Sequence, residues 1–383
     1  MHRQLASAIF FLAGFLLAGC LSQPASPPIR QILWSKGQDD YHTARIPAIC
    51  TTKKGTLLAF CEGRKTGSGD SGDIDLLLRR STDNGRTWSP TLVIWDDDKN
   101  TGGNPCPIVD LKTGTIWLLT TWNRGDDREA AIIAGKSKDT RRIFVTSSSD
   151  DGKSWDNPRE ITATAKAADW TWYATGPGAG IQIENGKHKG RLVAPCDHMV
   201  AGPEKKYYSH VIYSDDHGKS WQLGGSTPND KVNECQVVEL KEGKLLLNMR
   251  NYDLAKSNRQ IAISADGGAT WTGQRHDTAL IEPVCQASIR RLSWPKKDQP
   301  GVILFLNPAN PQNRSNLTMR ASLDDAQTWP CRLQLHAGPA AYSDLTILRN
   351  GQIGCLYEGG DTKDPYESII FKTIDPKRLL NRE

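Results

Sequence analysis

Ser81-Thr82-Asp83-Asn84-Gly85-Arg86-Thr87-Trp88 recurs along the chain as SSDDGKSW at 148–155, SDDHGKSW at 214–221 and SADGGATW at 264–271, with a degraded copy, SLDDAQTW, at 322–329. Each residue type in it has a physical task. The short aspartate side chain accepts from nearby backbone amides, glycine takes up a positive φ, and tryptophan supplies a large apolar anchor. The unit reads as a tight β-hairpin turn. Its aspartates, Asp83, Asp150, Asp216, Asp266 and Asp324, lie 67, 66, 50 and 58 residues apart, room for about four short strands with loops each time. Strand-like apolar runs bounded by glycine and proline fill the intervals, at 76–79, 115–120, 244–249 and 302–306. No long stretch has a helical period. In an all-β chain, a repeat of this length favours a propeller, which closes radially and leaves no long sheet edge exposed. Five copies plus a region formed from the two chain ends make six blades, so the expected fold is an all-β, six-bladed β-propeller over residues 29–383.

The first residues read differently. Residues 1–19 carry Arg3 and then the apolar stretch LASAIFFLAGFLLAG, the pattern of a signal peptide and too short for a comfortable membrane span. The stretch ends Leu17-Ala18-Gly19-Cys20, which resembles the bacterial lipobox and implies that Cys20 is lipidated and becomes the mature N-terminus. An ordinary secretory signal with an incidental cysteine is the alternative. Residues 20–28 then form the lipidated cysteine and a short flexible tether. The chain is therefore expected to be exported and held in a membrane by its lipid, on the periplasmic or the cell-surface side.

The formal charge of +5 falls only to +4 when residues 1–19 and Arg3 are removed. With no basic run interleaved with aromatics, a nucleic-acid groove is excluded as a reading. Any cationic function must be local. Besides Cys20 there are eight cysteines: Cys50, Cys61, Cys106, Cys196, Cys235, Cys285, Cys331 and Cys355. An even count permits disulfides in an exported protein, and buried thiols within apolar runs are the equal alternative. The histidines are scattered and no cysteine pair has metal spacing, so neither a metal nor another cofactor is expected.

The octapeptides resemble the Asp-boxes of bacterial sialidases. They mark the fold and not the chemistry, because such boxes also occur in propellers that cleave other glycans or only bind partners. Three arginines carry the resemblance further: Arg45 in Ala44-Arg45-Ile46-Pro47-Ala48, Arg250 at the end of Leu245-Leu246-Leu247-Asn248-Met249, and Arg314 in Asn313-Arg314-Ser315-Asn316. Lying on three different blades, they can converge only near the propeller axis. Guanidinium groups stay protonated and repel one another unless an anion compensates, and a carboxylate accepts their bidentate bonds. Sialic acid carries its carboxylate on the anomeric carbon, so a clamp there fixes the reacting centre itself.

The resemblance also implies a catalytic set. Tyr342, in Ala341-Tyr342-Ser343-Asp344-Leu345, matches the family's late tyrosine nucleophile, an exception among glycosidases. Glu234, in Asn233-Glu234-Cys235-Gln236, matches the partner that receives its proton. A phenol is a poor nucleophile at neutral pH and needs such a partner, yet being neutral it approaches the carboxylate-bearing carbon without repulsion. Asp70, in the glycine-rich loop Gly67-Ser68-Gly69-Asp70-Ser71-Gly72, best fits the family's acid/base, with Asp73 and Asp75 as rivals. To donate a proton it needs a somewhat raised pKa. Arg64 resembles a family arginine near the sugar's 4-position, Asn104 a polar residue near the N-acyl side, and Glu358 the carboxylate that steadies Arg45. For each of these three, a structural salt bridge or turn is the alternative. Asp197 and His198 are left outside the site.

The function this implies is an exo-α-sialidase releasing terminal sialic acids from glycoproteins, glycolipids and oligosaccharides. A trans-sialidase or an enzyme forming an anhydro product would share the fold and site. A non-catalytic glycan-binding propeller would keep the boxes and lack the ordered set, and a propeller for neutral glycans would have no use for three converging arginines.

Overall fold

The computed structural model describes residues 28–381; the signal-peptide and Cys20 expectations, at residues 1–20, lie outside them. The described chain is all-β. Its helices are single turns or little more, at Glu129–Ile133, Thr162–Ala165 and Pro376–Leu380. Among the described residues no helix is long and apolar enough to cross a membrane.

The strands form four hydrogen-bonded sheets of antiparallel meanders. In the eight-stranded sheet, a meander of Thr43–Thr51, Leu57–Arg64, Ile74–Ser81 and Leu92–Trp95 meets a second one, Thr101–Val109, Ile116–Asn123, Arg142–Ser148 and Arg159–Glu160. A single parallel contact, Ile74 to Thr101, joins the two. Trp170–Thr175, Leu192–Val200, Lys206–Ser214 and Gln222–Ser226 make the next sheet, with the short Ile181–Gln182 beside it, and Val232–Glu239 to Thr272–Ile281 the one after. The seven-stranded sheet turns on one long strand, Cys331–Ile347, which pairs with Ser315–Ser322 through its first half and with Ile353–Gly359 through its second. The first strand, Arg30–Ser35, closes this sheet against Ser368–Ile374.

Runs such as Leu245-Leu246-Leu247 are apolar without alternation because both faces of these sheets are covered: all three side chains are buried. Interleaved clusters fill the gaps between neighbouring meanders. Ala48, Phe60 and Leu76 pack with Ile116 and Leu118, and Ile108 and Leu119 pack with Leu192 and Ile212. Box tryptophans plug the outer part of these gaps by reaching back to the preceding meander: Trp88 packs onto Phe371 at 5.1 Å and Trp155 onto Phe60 at 5.8 Å between ring centroids, while Trp329, beside Phe305 of its own meander, donates from Nε1 to Asp277 Oδ2 of the preceding one at 3.1 Å.

The box turns join the third and fourth strands of their meanders. In the first, Asp83 Oδ1 accepts from Ser81 Oγ at 2.8 Å and from the Thr87 amide at 2.9 Å, while Oδ2 accepts from Thr87 Oγ1 at 2.7 Å. Ser81 Oγ in turn accepts from the Gly85 amide at 2.9 Å. The same pattern holds around Asp150, Asp216, Asp266 and Asp324. The fifth box keeps it although alanine replaces glycine: Ala326 sits at φ +66 and its amide donates to Ser322 Oγ. All eight cysteines of the described region are unpaired and buried.

Candidate active site

The first strands of the meanders begin at one end of the molecule around a pocket of about 210 Å³, lined among others by Arg45, Asp70, Glu234, Arg250, Arg314 and Tyr342. Residues spread over some three hundred positions of sequence thus face one another. Arg45 lies near the start of Thr43–Thr51, where Ile46 at φ +57 kinks the strand. Its Nε donates to Glu358 Oε1 at 2.7 Å, and Glu358 also accepts from the amides of Ile46 and Tyr342. With Glu358 fully buried, that carboxylate fixes Arg45 and the tyrosine's backbone together. Arg250 ends the strand Leu245–Asn251 and donates from Nη1 to Glu234 Oε2 at 2.7 Å and to Tyr342 Oη at 3.0 Å. Its Nε is buried without a hydrogen-bond partner. Arg314 is held by Val284 O and Tyr366 Oη.

Tyr342 lies in the second half of Cys331–Ile347 and is 6% exposed. Its hydroxyl donates to Glu234 Oε1 at 2.6 Å. Burial raises the phenol's pKa well above its ordinary value; the Glu234 charge adds to this and Arg250 and Arg314 oppose it. The pocket therefore holds a neutral phenol already bonded to a carboxylate base.

Asp70 sits across the pocket on the loop after Leu57–Arg64, paired with Arg64 Nη2 at 2.8 Å and 57% exposed. The raised pKa expected from the sequence is not what the surroundings impose: burial does raise it, but the guanidinium charges of Arg64 and Arg45 outweigh burial and hold the carboxyl below its ordinary value. The rivals lie elsewhere: Asp73 and Asp75 converge with Asp96 on Lys65, away from the pocket lining.

Glu62, unremarked in the sequence, organises this side. Its Oε2 accepts from Arg64 Nε and Nη2, and its Oε1 from the Asn104 amide at 2.8 Å. Asn104 lines the pocket, but its Oδ1 is taken by Arg141 and Thr121, leaving only the amide nitrogen free for a ligand. Arg141, Tyr252 and Tyr366, to which nothing in the sequence points, also line the pocket, as does Asp197, which the sequence reading leaves outside the site. Asp197 is fully buried, with Oδ1 accepting from Asn233 and Oδ2 unpartnered, and burial drives its pKa well up. His198 turns away to stack on Trp170.

A BNR repeat-like domain model matches residues 55–355. A sialidase of Micromonospora viridifaciens is 34% identical over 90% of this chain, and one of Bacteroides fragilis is 32% identical over 88%. The chain spans 54% and 64% of those two proteins' lengths. Among solved structures, a microbial sialidase designated Hadza Hz136 superposes with a TM-score of 0.80 at 31% identity, covering 90% of this chain and 68% of that one. The family model over residues 55–355 and relatives 31–34% identical over 88–90% of the chain place it in the sialidase family, to which it belongs.

Proposed function

We propose that the protein is an exo-α-sialidase that hydrolyses terminal α-linked sialic acids with retention. One observation carries the reading: the 2.6 Å bond from Tyr342 to Glu234 under three arginines that share one pocket. Arg45, Arg250 and Arg314, which line the pocket together, clamp the substrate carboxylate. Tyr342 Oη then attacks the anomeric carbon while its proton passes to Glu234. Asp70 protonates the departing glycosidic oxygen, and the C–O bond to the aglycone breaks. In the second half, Asp70 takes a proton from water, the water oxygen bonds to the anomeric carbon, and Tyr342 leaves with the proton returned by Glu234. Arg64 and Asn104 orient the sugar ring, and Glu358 holds Arg45 in place.

The reading extends to architecture and address. The meanders are taken as six blades, the seven-stranded and eight-stranded sheets each counting as two, over residues 29–383. In support, a fully buried carboxylate, Asp344, accepts from Ile49, Ala179, Gln236 and Leu345, so segments of several meanders meet at one point. Residues 1–19 serve as the export signal, and Cys20, lipidated, anchors the protein in a membrane through the 20–28 tether.

NMR of the products from an α-sialoside tests the chemistry. The α-anomer of the free sugar should form first, and a 3-fluoro sialosyl fluoride should leave a covalent adduct on Tyr342. A β-anomer first, or the adduct on Glu234, would show the nucleophile to be misassigned. An anhydro sugar or a transfer product in place of the free sugar would defeat hydrolysis as the outcome.

A further inference from the structure

The strands whose beginnings surround the pocket end at the opposite face, where Thr51, Val109, Ile181, Glu239, Arg291 and Ile347 line a second cavity of about 200 Å³. Beyond those ends the chain turns back, and each of the six turns offers an exposed cation: Lys54, Lys112, Lys189, Lys244, Lys297 and Arg349. Four of the turns carry a second exposed lysine. The same turns hold three exposed acids, Glu184, Glu242 and Asp298, and Lys244 already covers Glu242 at 2.9 Å. Ten cations against three anions exceed the +5 of the entire chain. The box turns stand farther out on this face; their second acids, Asp151, Asp215 and Asp325, are paired with Arg80, Arg191 and Arg291. Leu111, 48% exposed, and Trp294 add apolar and aromatic surface within the ring.

The described chain also starts at this face. The Ile29 amide donates to Thr373 Oγ1 at 2.9 Å, and Gln31 Nε2 to Arg86 O of the first box turn at 2.6 Å. Residues 20–28 can span at most about 30 Å from that point. A lipid on Cys20 therefore brings this face, and not the pocket, towards the bilayer.

We propose that the cationic ring rests on an anionic phospholipid bilayer, so that the pocket is turned outward to glycans in solution or on other surfaces. This rests on the reading of Cys20 as lipidated. Lysine and arginine near a negatively charged headgroup layer gain attraction within a Debye length, and Trp and Leu suit the interface itself. The anchor supplies proximity and the ring sets orientation.

The test uses the full acylated protein on phosphatidylcholine vesicles with and without phosphatidylglycerol, followed by hydrogen exchange and mass spectrometry. Turns 52–56, 110–115, 183–191 and 294–300 should exchange more slowly only where phosphatidylglycerol is present, and high salt should abolish the difference. Combined Lys54→Glu, Lys112→Glu, Lys189→Glu and Arg349→Glu should abolish it too, with hydrolysis of a small aryl sialoside in detergent unchanged. With the acyl mass present on Cys20, equal exchange on both vesicles, or slowing at the loops around the pocket, would overturn the docking face alone. Intact mass without an acyl group on Cys20 would overturn the anchor.

Discussion

Burial and the Glu234 charge raise the Tyr342 pKa against the two arginines beside it, while around Asp70 the charges of Arg64 and Arg45 outweigh burial and lower it. A bound substrate carboxylate neutralises the arginines, and a negative charge added near Asp70 disfavours its ionised form, so binding should raise the Asp70 pKa. The profile of kcat reports the complex and that of kcat/KM the free enzyme. On an unactivated sialoside, the falling limb assigned to Asp70 should therefore lie at higher pH in kcat than in kcat/KM. Asp70→Ala should remove that limb and cost about 10²–10⁴-fold, with a smaller loss on activated aryl sialosides. Coincident limbs would dismiss substrate-induced protonation. The positions of Arg45, Arg250 and Arg314 were legible because each lies in a recognisable local motif. Arg141 was not, since it stands beside Arg142, which bonds Asp139 on the surface, and nothing local tells the two apart. Tyr366 acts through Arg314, and Glu62 joins its neighbour Arg64 to the distant Asn104; such long-range links are a kind of information no single stretch contains.

Among the elements, the box turn was the easiest to read, since its hydrogen bonds lie within eight residues and repeat with the sequence. What the repeat concealed is why its glycine matters differently from copy to copy. A Cβ on Gly85, at φ +84, would come within 2.2 Å of the Phe371 ring, a clash added to the cost of a left-handed backbone. Ala326 has that same backbone sign and is simply buried in its own cluster. Gly85→Ala should therefore destabilise the protein by about 2–4 kcal/mol, whereas Ala326→Gly should change stability by less than about 1 kcal/mol in either direction. Urea unfolding of both variants checks this; equal effects would mean that the packing around Gly85 yields more easily than its contacts suggest. Sheet membership was less legible than strand position. The double pairing of Cys331–Ile347 and the single contact between Ile74 and Thr101 depend on how neighbouring meanders abut, which alternating hydrophobicity does not encode.

For the molecule as a whole, Asp344 has the consequence that its place in the sequence conceals. Two residues beyond Tyr342, it takes amides from segments lying hundreds of residues apart, and burial raises its pKa. Replacing it by alanine strands those donors in a dry interior, so Asp344→Ala should lower stability by about 3–5 kcal/mol. A variant as stable as its parent in urea would deny Asp344 this role. The pairing of Arg30–Ser35 with Ser368–Ile374 also governs the order in which the protein can be made. The earliest described strand has no partner until nearly the last residues have been synthesised, so loop closure over almost the full chain must precede completion of the fold. Until then Arg30–Ser35 remains an unpaired edge, the state most exposed to strand exchange with neighbouring chains. If the chain is exported as proposed, crossing the membrane before that final strand is available leaves the latching to the far side.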